Sequence, residues 1–414
     1  MRGPQLAAVV LGTLTSFLWS YSAGVAGAEF RESEAPSSSE AKCSGYLPGF
    51  TPDEKIRSAM EGDSEGRFKN IVLLTEAGMS VVAVTARNMR QSDQDAMIVT
   101  ARLRNRPGMR LHALFDGHMS DKTARWLTDR AAGYFGELAE FTDEAIRNVF
   151  LRMDNDLGKQ SVSGGSTGVF LFVEHVPQPE RLSVADREII DVGPGKPRPY
   201  NAKETVVGHA GTGFFKITVA HVGDSRALMR GSKGSLVLLT RDHLPADDAE
   251  KKRIKAAGGK ITTGWLGEAR INGRINMSRA LGDHGLKNNP SLPLDKQLII
   301  AVPEVRRFYA LASESVFLAC DGLFEGLELY EVEETISSKI RRTSLGSAIP
   351  EVVDNAIAAG LGDNVSVLYV HLGVPQGQPA RVQQVVRNAA GETIAAVDRT
   401  HELEGKDVFS LPLY

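Results

Sequence analysis

The sequence predicts a mixed α+β chain, and three observations lead there. Apolar runs of strand length recur and stop or start at an aspartate; two longer stretches between them carry helix signals; and the composition is ordinary for a globular protein. With 42% hydrophobic and 24% charged residues, wholesale disorder, a collagen-like chain and a multi-span membrane protein are excluded. The 48 basic residues nearly balance 51 acidic ones, for a net charge of −3, so no electrostatic footprint for nucleic acid exists and none is expected as a partner. Cys43 and Cys320 are the two cysteines. They cannot make a disulfide framework or, by themselves, a thiolate zinc site.

The chain opens with an address-like segment. Arg2 supplies a positive start, Leu6 to Trp19 is largely apolar, and Ala26-Gly27-Ala28 fits a small-x-small cleavage pattern. Residues 1–28 are therefore expected to be a signal peptide, with an uncleaved anchor as the alternative. Either reading sends the protein into a secretory route, secreted or lumenal, with no further span once the segment is removed. Residues 29–66 read as a flexible leader: the stretch to residue 50 is rich in Ser, Glu and Pro, and its acidity argues against an organellar transit peptide. Residues 373–414 read as a polar tail.

Between these ends the strand signals come in order. Leu111 to Phe115 runs into Asp116-Gly117-His118; Val169 to Val173 forms another run; Phe215 to Val222 meets Gly223-Asp224; Ser315 to Cys320 meets Asp321-Gly322; and Asp363-Asn364 opens Val365 to Val370. Two helices are expected outside the sheet. One covers 121–138 and buries Trp126, Leu127 and Tyr134; the other covers 142–157 and is capped by Thr142. Asp154-Asn155-Asp156 lacks a full calcium loop and reads as a helix end. The five residues Lys251 to Lys255 read as a solvated basic helix face rather than an import signal.

A strand end fixes the backbone of a carboxylate while its side chain leaves the core. Any single Asp-Gly pair is commonly just a turn. Several such pairs converging would need cations, because close carboxylates cannot all stay ionised unaided. Oxygen ligands without His or Cys suit Mg²⁺, Mn²⁺ or Ca²⁺. Spacing alone leaves convergence open.

The ordered motifs resemble those of the metal-dependent Ser/Thr protein phosphatases (PPM, type 2C). They are Arg90-Gln91-Ser92-Asp93-Gln94-Asp95, Asp116-Gly117-His118, Gly165-Ser166-Thr167-Gly168, Val222-Gly223-Asp224-Ser225-Arg226, Thr240-Arg241-Asp242-His243, Ser278-Arg279-Ala280-Leu281-Gly282-Asp283, Asp321-Gly322 and Asp363-Asn364. The resemblance implies a β-sandwich of two antiparallel sheets flanked by helices, over residues 67–372. It also implies hydrolysis of phosphoserine and phosphothreonine in phosphoprotein substrates by a hydroxide bridging two Mg²⁺ or Mn²⁺ ions. By similarity, Asp95, Asp116, Asp321, Asp363 and the carbonyl of Gly117 hold the two metals. Asp224 with Asp321 supports a third, weakly bound one. Arg90 binds the substrate phosphate and His118 is the general acid. Asp283 belongs to a motif read as structural and stays outside this set, and Cys320 reads as a buried core thiol rather than a nucleophile.

Some positions depart from the family. Met119 and Ser120 stand where two glycines are usual, and glycine permits a backbone conformation closed to Met. Ser120 is read instead as a cap for the following helix. Gln94 replaces a common Glu, and Glu325 replaces an Asp. Residues 175–212 form a Pro- and Gly-rich connection longer than usual, either a tolerated insertion or a docking arm. Trp265 and Asn276 fall in the segment that forms a flap in the family. The alternative function is a phosphatase-like binding module without strong activity. A generic calcium-binding protein would leave Arg90, His118 and the motif order unexplained.

Overall fold

The computed structural model describes residues 68–176 and 214–411, apart from residues 77, 232–233, 235, 266, 361, 374–378 and 404–406, together with Lys55 and Ser58. The expected signal segment, most of the leader and the insertion from residue 177 lie outside the described residues.

In chain order the first strands are β1 (Lys69–Glu76), β2 (Met79–Ala86), β3 (Asp95–Leu103), β4 (Arg106–His118), β5 (Gly165–Ser166) and β6 (Gly168–Val176). Then come β7 (Phe214–Val222), β8 (Arg226–Arg230), β9 (Leu236–Leu238), β10 (Ile261–Thr263), β11 (Ala269–Ile271) and β12 (Leu281–Gly282). The last are β13 (Glu304–Leu311), β14 (Ser315–Ala319), β15 (Val365–Leu372), β16 (Arg381–Arg387), β17 (Thr393–Asp398) and β18 (Val408–Leu411). The helices are α1 (Lys122–Gly136), α2 (Asp143–Lys159), α3 (Asp248–Ala256), α4 (Leu329–Ile340) and α5 (Leu345–Ala359).

These strands make two large antiparallel sheets. One has the order β17-β16-β1-β2-β15-β14-β8-β9; the other runs β18-β3-β4-β6-β7-β13, with β5 and β12 extending the end of β4. The sheets share a core of Val72, Leu74, Val81, Leu318, Leu368 and Val370 against Met97, Val99, Leu114, Leu171, Ile217 and Val219. The outer faces are apolar too, because helices cover both. Helices α1 and α2 lay Leu127, Phe135 and Phe150 on Ile98, Phe115, Phe170 and Phe172. Helices α4 and α5 lay Val332, Ile336 and Val353 on Val82, Val84 and Tyr369. A sheet covered on both faces needs near-continuous apolar strands, which is why the short runs were legible.

The helix expectations hold to within two residues at each end. Thr142 accepts the Ala145 N–H at 3.2 Å as the α2 cap, and the Ser120 hydroxyl accepts the Lys122 N–H at 3.1 Å ahead of α1. In α3, Lys251, Lys252 and Lys255 are exposed and Ile254 is buried, as a solvated basic face requires.

The tail is a correction. Residues 373–414 were expected to lie outside the folded domain, whereas β16 pairs along β1, β17 along β16, and β18 along β3. Val382, Val385, Val386 and Phe409 are buried there, and the polar Arg381, Gln383, Gln384 and Arg387 among them dilute the apolar signal.

His112, on β4, is completely buried; its Nδ1 donates to the Val99 carbonyl at 2.6 Å, and Nε2 has no partner among the described residues. Burial pushes its pKa down to about 4 from 6.5. The unfolded chain therefore takes up this proton more readily, and stability falls as pH drops from 6.5, with the loss complete below about 4. His112→Asn, which can keep the bond to Val99 without titrating, is expected to flatten urea-unfolding stability across that window. The slope removed should approach 1.4 kcal/mol per pH unit.

Candidate active site at one end of the sandwich

The sandwich delivers acidic side chains from both sheets to one end. Asp95 opens β3 and pairs in register with Asp116 near the end of β4. Asp321 lies two residues beyond β14, and Asp363 lies two residues before β15 in the other sheet. Asp224 follows β7 through a turn at Gly223, whose φ of +97° is a left-handed value and where a Cβ would press on the Thr167 side chain.

Backbone contacts fix each position. The Asp116 N–H donates to Thr167 Oγ1 at 3.1 Å, and the Asp116 carbonyl accepts from the Thr167 N–H at 2.9 Å. The Gly117 N–H donates to the Gln94 carbonyl at 3.2 Å, so β4 cannot slide relative to Asp95. The Gln94 N–H and the Arg87 and Ser92 carbonyls are all met by the Asn364 amide, which ties the Arg90 loop to the strand carrying Asp363.

The carboxylates are close enough to oppose one another's ionisation. Burial raises the Asp116 pKa well above the ordinary carboxylate value, and Asp321, Asp95, Asp224 and Asp363 raise it further. Burial does the same at Asp95, followed by Asp93 and then Asp363; at Asp224 it is followed by Asp321. Asp321 is raised by burial and by Asp363. Oδ2 of Asp95 and Oδ1 of Asp224 are buried without a hydrogen-bond partner among the described residues. Carboxyl oxygens left in this state within one acidic cluster fit hard divalent cations. Ligand atoms of Asp95, Asp116 and Cys320 lie within 4.8 Å of one another. Cys320 is nevertheless no thiolate: its thiol donates to the Asn364 carbonyl, and burial and the neighbouring aspartates raise its pKa well above the usual thiol value.

Arg90 donates from Nη2 to Asp363 Oδ2 at 2.6 Å and remains half exposed, so its guanidinium borders the cluster and faces solvent. Asp116 and Glu325 add to the field that holds it protonated. His118 ends β4 directly after Gly117. All eight expected residues, Arg90, Asp95, Asp116, Gly117, His118, Asp224, Asp321 and Asp363, thus belong to one end of the sandwich.

Two residues were missed. Asp93 is buried beside Asp95, accepts from Thr85 Oγ1 at 2.7 Å and from the Asp95 N–H, and burial raises its pKa to about 6. It lay within a quoted motif but carried no separate signal. Asp283, set aside as structural, contacts His118 Nε2 at 2.7 Å. Only the three-dimensional crossing of strands more than 160 residues apart shows that contact.

A second grouping, His221, His243 and Glu304, also brings ligand atoms within 4.8 Å. Its hydrogen bonds argue for a structural role. The Gly223 N–H donates to His243 Nδ1 at 3.2 Å, which leaves the proton on Nε2, facing Glu304 at 3.9 Å. The His243 N–H donates back to the Gly223 carbonyl, so this histidine clamps the turn that presents Asp224.

Residues 205–365 match the Protein phosphatase 2C family. Protein phosphatase ppm-1.G of Caenorhabditis elegans is 40% identical over 37% of this chain, covering 29% of its own length. Protein phosphatase 2C homolog 3 of Schizosaccharomyces pombe is 32% identical over 63% of this chain and 56% of its own. A solved phosphatase structure from Toxoplasma gondii superposes with a TM-score of 0.63 at 28% identity, over 80% of this chain and 99% of that one. The chain spans less than a third of the length of ppm-1.G and of two further curated phosphatases it matches. Motifs, fold and these matches agree in a likeness to the protein phosphatase 2C family, whose model covers residues 205–365.

Two measurements check the site. Asp116→Asn removes one of the mutually repelling charges. It is expected to melt higher than the wild type in chelator and to gain nothing from Mn²⁺, whereas the wild type gains. Met119 adopts φ +64° with its side chain 85% exposed, so the loop keeps a glycine-like conformation at a cost in strain. Met119→Gly should raise unfolding stability by roughly 0.5–1 kcal/mol, the left-handed penalty less the extra chain entropy of glycine.

Proposed function

We propose that this chain hydrolyses phosphoserine and phosphothreonine monoesters in proteins with Mg²⁺ or Mn²⁺ as cofactor. The observation that supports it most is the meeting of carboxylates from both sheets beside an arginine and a histidine. Asp95, Asp116, Asp321 and Asp363, with the Gly117 carbonyl, are the residues that would hold two cations, and Asp224 with Asp321 a third. Bound there, the cations supply Lewis acidity and lower the pKa of water toward neutrality.

The chain's own groups account for the rest. Arg90 offers a planar fork of N–H donors to phosphate oxygens from the rim, with Asp363 holding it in place. Water oxygen bonds to phosphorus as the bond from phosphorus to the serine or threonine oxygen breaks. His118 gives that departing oxygen a proton, because an alkoxide leaves poorly. Free phosphate and a hydroxyl side chain result. Cys320, neutral and buried, takes no part. The left-handed backbone at Met119 retains the loop shape a glycine would give, so this departure from the family does not favour the inactive-module reading.

The apolar segment ending at Ala28 supports entry into the secretory route, with cleavage before Glu29. Among the described residues, no helix is long and apolar enough to cross a membrane. N-terminal sequencing of protein from secreting cells should begin at Glu29; retention of Met1 on membranes would point to an anchor instead.

Phosphate release from a phosphothreonine peptide by residues 29–414 tests the activity. Turnover should require Mn²⁺ or Mg²⁺, vanish in chelator and in Asp116→Ala, and fall in kcat/KM by about 10–100-fold in Arg90→Ala, the loss of a charged hydrogen-bonded contact. A folded, Mn²⁺-binding wild type without turnover would leave the binding-module reading in its place.

A further inference from the structure

Asp283 has a geometry that a structural turn does not explain. It follows β12 and precedes a short 3-10 turn at His284–Leu286, yet its side chain makes no capping bond to that turn. Instead Oδ2 lies 2.7 Å from Nε2 of His118, with the Asp283 side chain 4% exposed. Its backbone is left-handed, with φ 53° and ψ 38°, a conformation that costs energy for a non-glycine residue and recurs where function holds it.

Three neighbouring features serve this contact. The two-residue strand β5 sits between the end of β4 and β12, with Gly165 opposite His118 on one side and Gly282 on the other. A Cβ on Gly165 would overlap both Asp283 Oδ2 and His118 Nε2, so the pair meets across a position that only glycine leaves open. Behind β12, buried Asp154 of α2 accepts the Gly282 N–H at 2.8 Å and Lys287 Nζ at 2.7 Å, while that lysine also donates to the Ala280 carbonyl. The Asp283 N–H donates to the Gly164 carbonyl. The carboxylate is therefore anchored from two directions. Nδ1 of His118 is buried without a partner, so among the described residues Asp283 is the polar anchor of the ring.

We propose that Asp283 is a positioning residue for His118. Its carboxylate accepts the Nε2 N–H and fixes the rotation of the ring, which leaves Nδ1 as the atom that gives its proton to the leaving serine or threonine oxygen and regains one from water afterwards. Asp154, Lys287 and Gly165 hold the geometry. The inference rests on the phosphatase reading above and goes beyond it by giving the general acid an orienting partner.

Leaving-group chemistry tests it. A poor leaving group needs the proton from His118, whereas p-nitrophenolate departs without one. Asp283→Asn keeps the side chain's size and tolerates the left-handed backbone. In the full mature chain with Mg²⁺ it is expected to lower kcat on a phosphothreonine peptide by about 10–100-fold. KM should be unchanged, and kcat on p-nitrophenyl phosphate should change less than about threefold on the same grounds. His118→Gln should show the same split, and the double variant should lose no more than the worse single one. Equal losses on both substrates, an unchanged peptide kcat, or additive losses in the double variant would overturn the proposal. The ¹⁵N spectrum of the wild-type imidazoles gives a second reading that needs no turnover. His118 should carry its proton on Nε2, and Asp283→Asn should change that signal. An Nε2 without a proton in the wild type, or an unmoved signal in the variant, would also overturn it. A wild type without metal-dependent turnover on either substrate but with the Nε2 proton in place would defeat the phosphatase reading and leave the His118–Asp283 contact standing.

Discussion

Mutual repulsion among buried carboxylates is the constraint around which this molecule is organised. Asp95, Asp116, Asp224 and Asp321 are each pushed toward neutrality by burial and by their neighbours. Left alone, such a cluster would swell or protonate; it persists because the strands bearing it cannot part. Asp95 and Asp116 face each other on hydrogen-bonded strands, and Asn364 laces the Arg90 loop to the opposite sheet. The large apolar core between the sheets provides the stability that an electrostatically unfavourable end consumes. Cation binding turns that liability into affinity, since the energy of bringing the oxygens together has been met by folding.

The second layer of the site is built from small residues and borrowed backbone. Gly223 turns where Thr167 leaves no room for a side chain, and His243 grips it from both sides. Gly165 opens the space in which His118 and Asp283 meet. Met119 shows the limit of this economy, occupying a left-handed position with its side chain in solvent. The departure from glycine is absorbed locally as strain and leaves the strand ends around it in place.

Much of the fold was readable in the sequence, for physical reasons. Strands such as Val365–Leu372 are apolar on both faces because helices cover one side and the second sheet the other, so they stand out as continuous runs. The eight site residues were readable because their chemistry sits in short, ordered motifs at strand ends. What could not be read was pairing over distance. The strands β16 to β18 are polar enough to pass for a tail, and their role appears only when β1 and β3 are beside them. Asp283 sits in a motif read as structural, and its place beside His118 depends on the pairing of β12 with β5. Asp93 was hidden by its neighbours, since a run of acidic and amide residues does not announce which side chain turns inward.

That late arrival of the last strands has a consequence for the nascent chain. In the first sheet β1 waits for β16 and β2 for β15, so each of these strands emerges from the ribosome long before its partner. Contacts of such long range form slowly and leave apolar strands uncovered in the meantime. The charge cluster obeys the same timetable: it lacks Asp363 long after Asp95 and Asp116 have been made. Products that stop short of Asp363 therefore never assemble the full cluster.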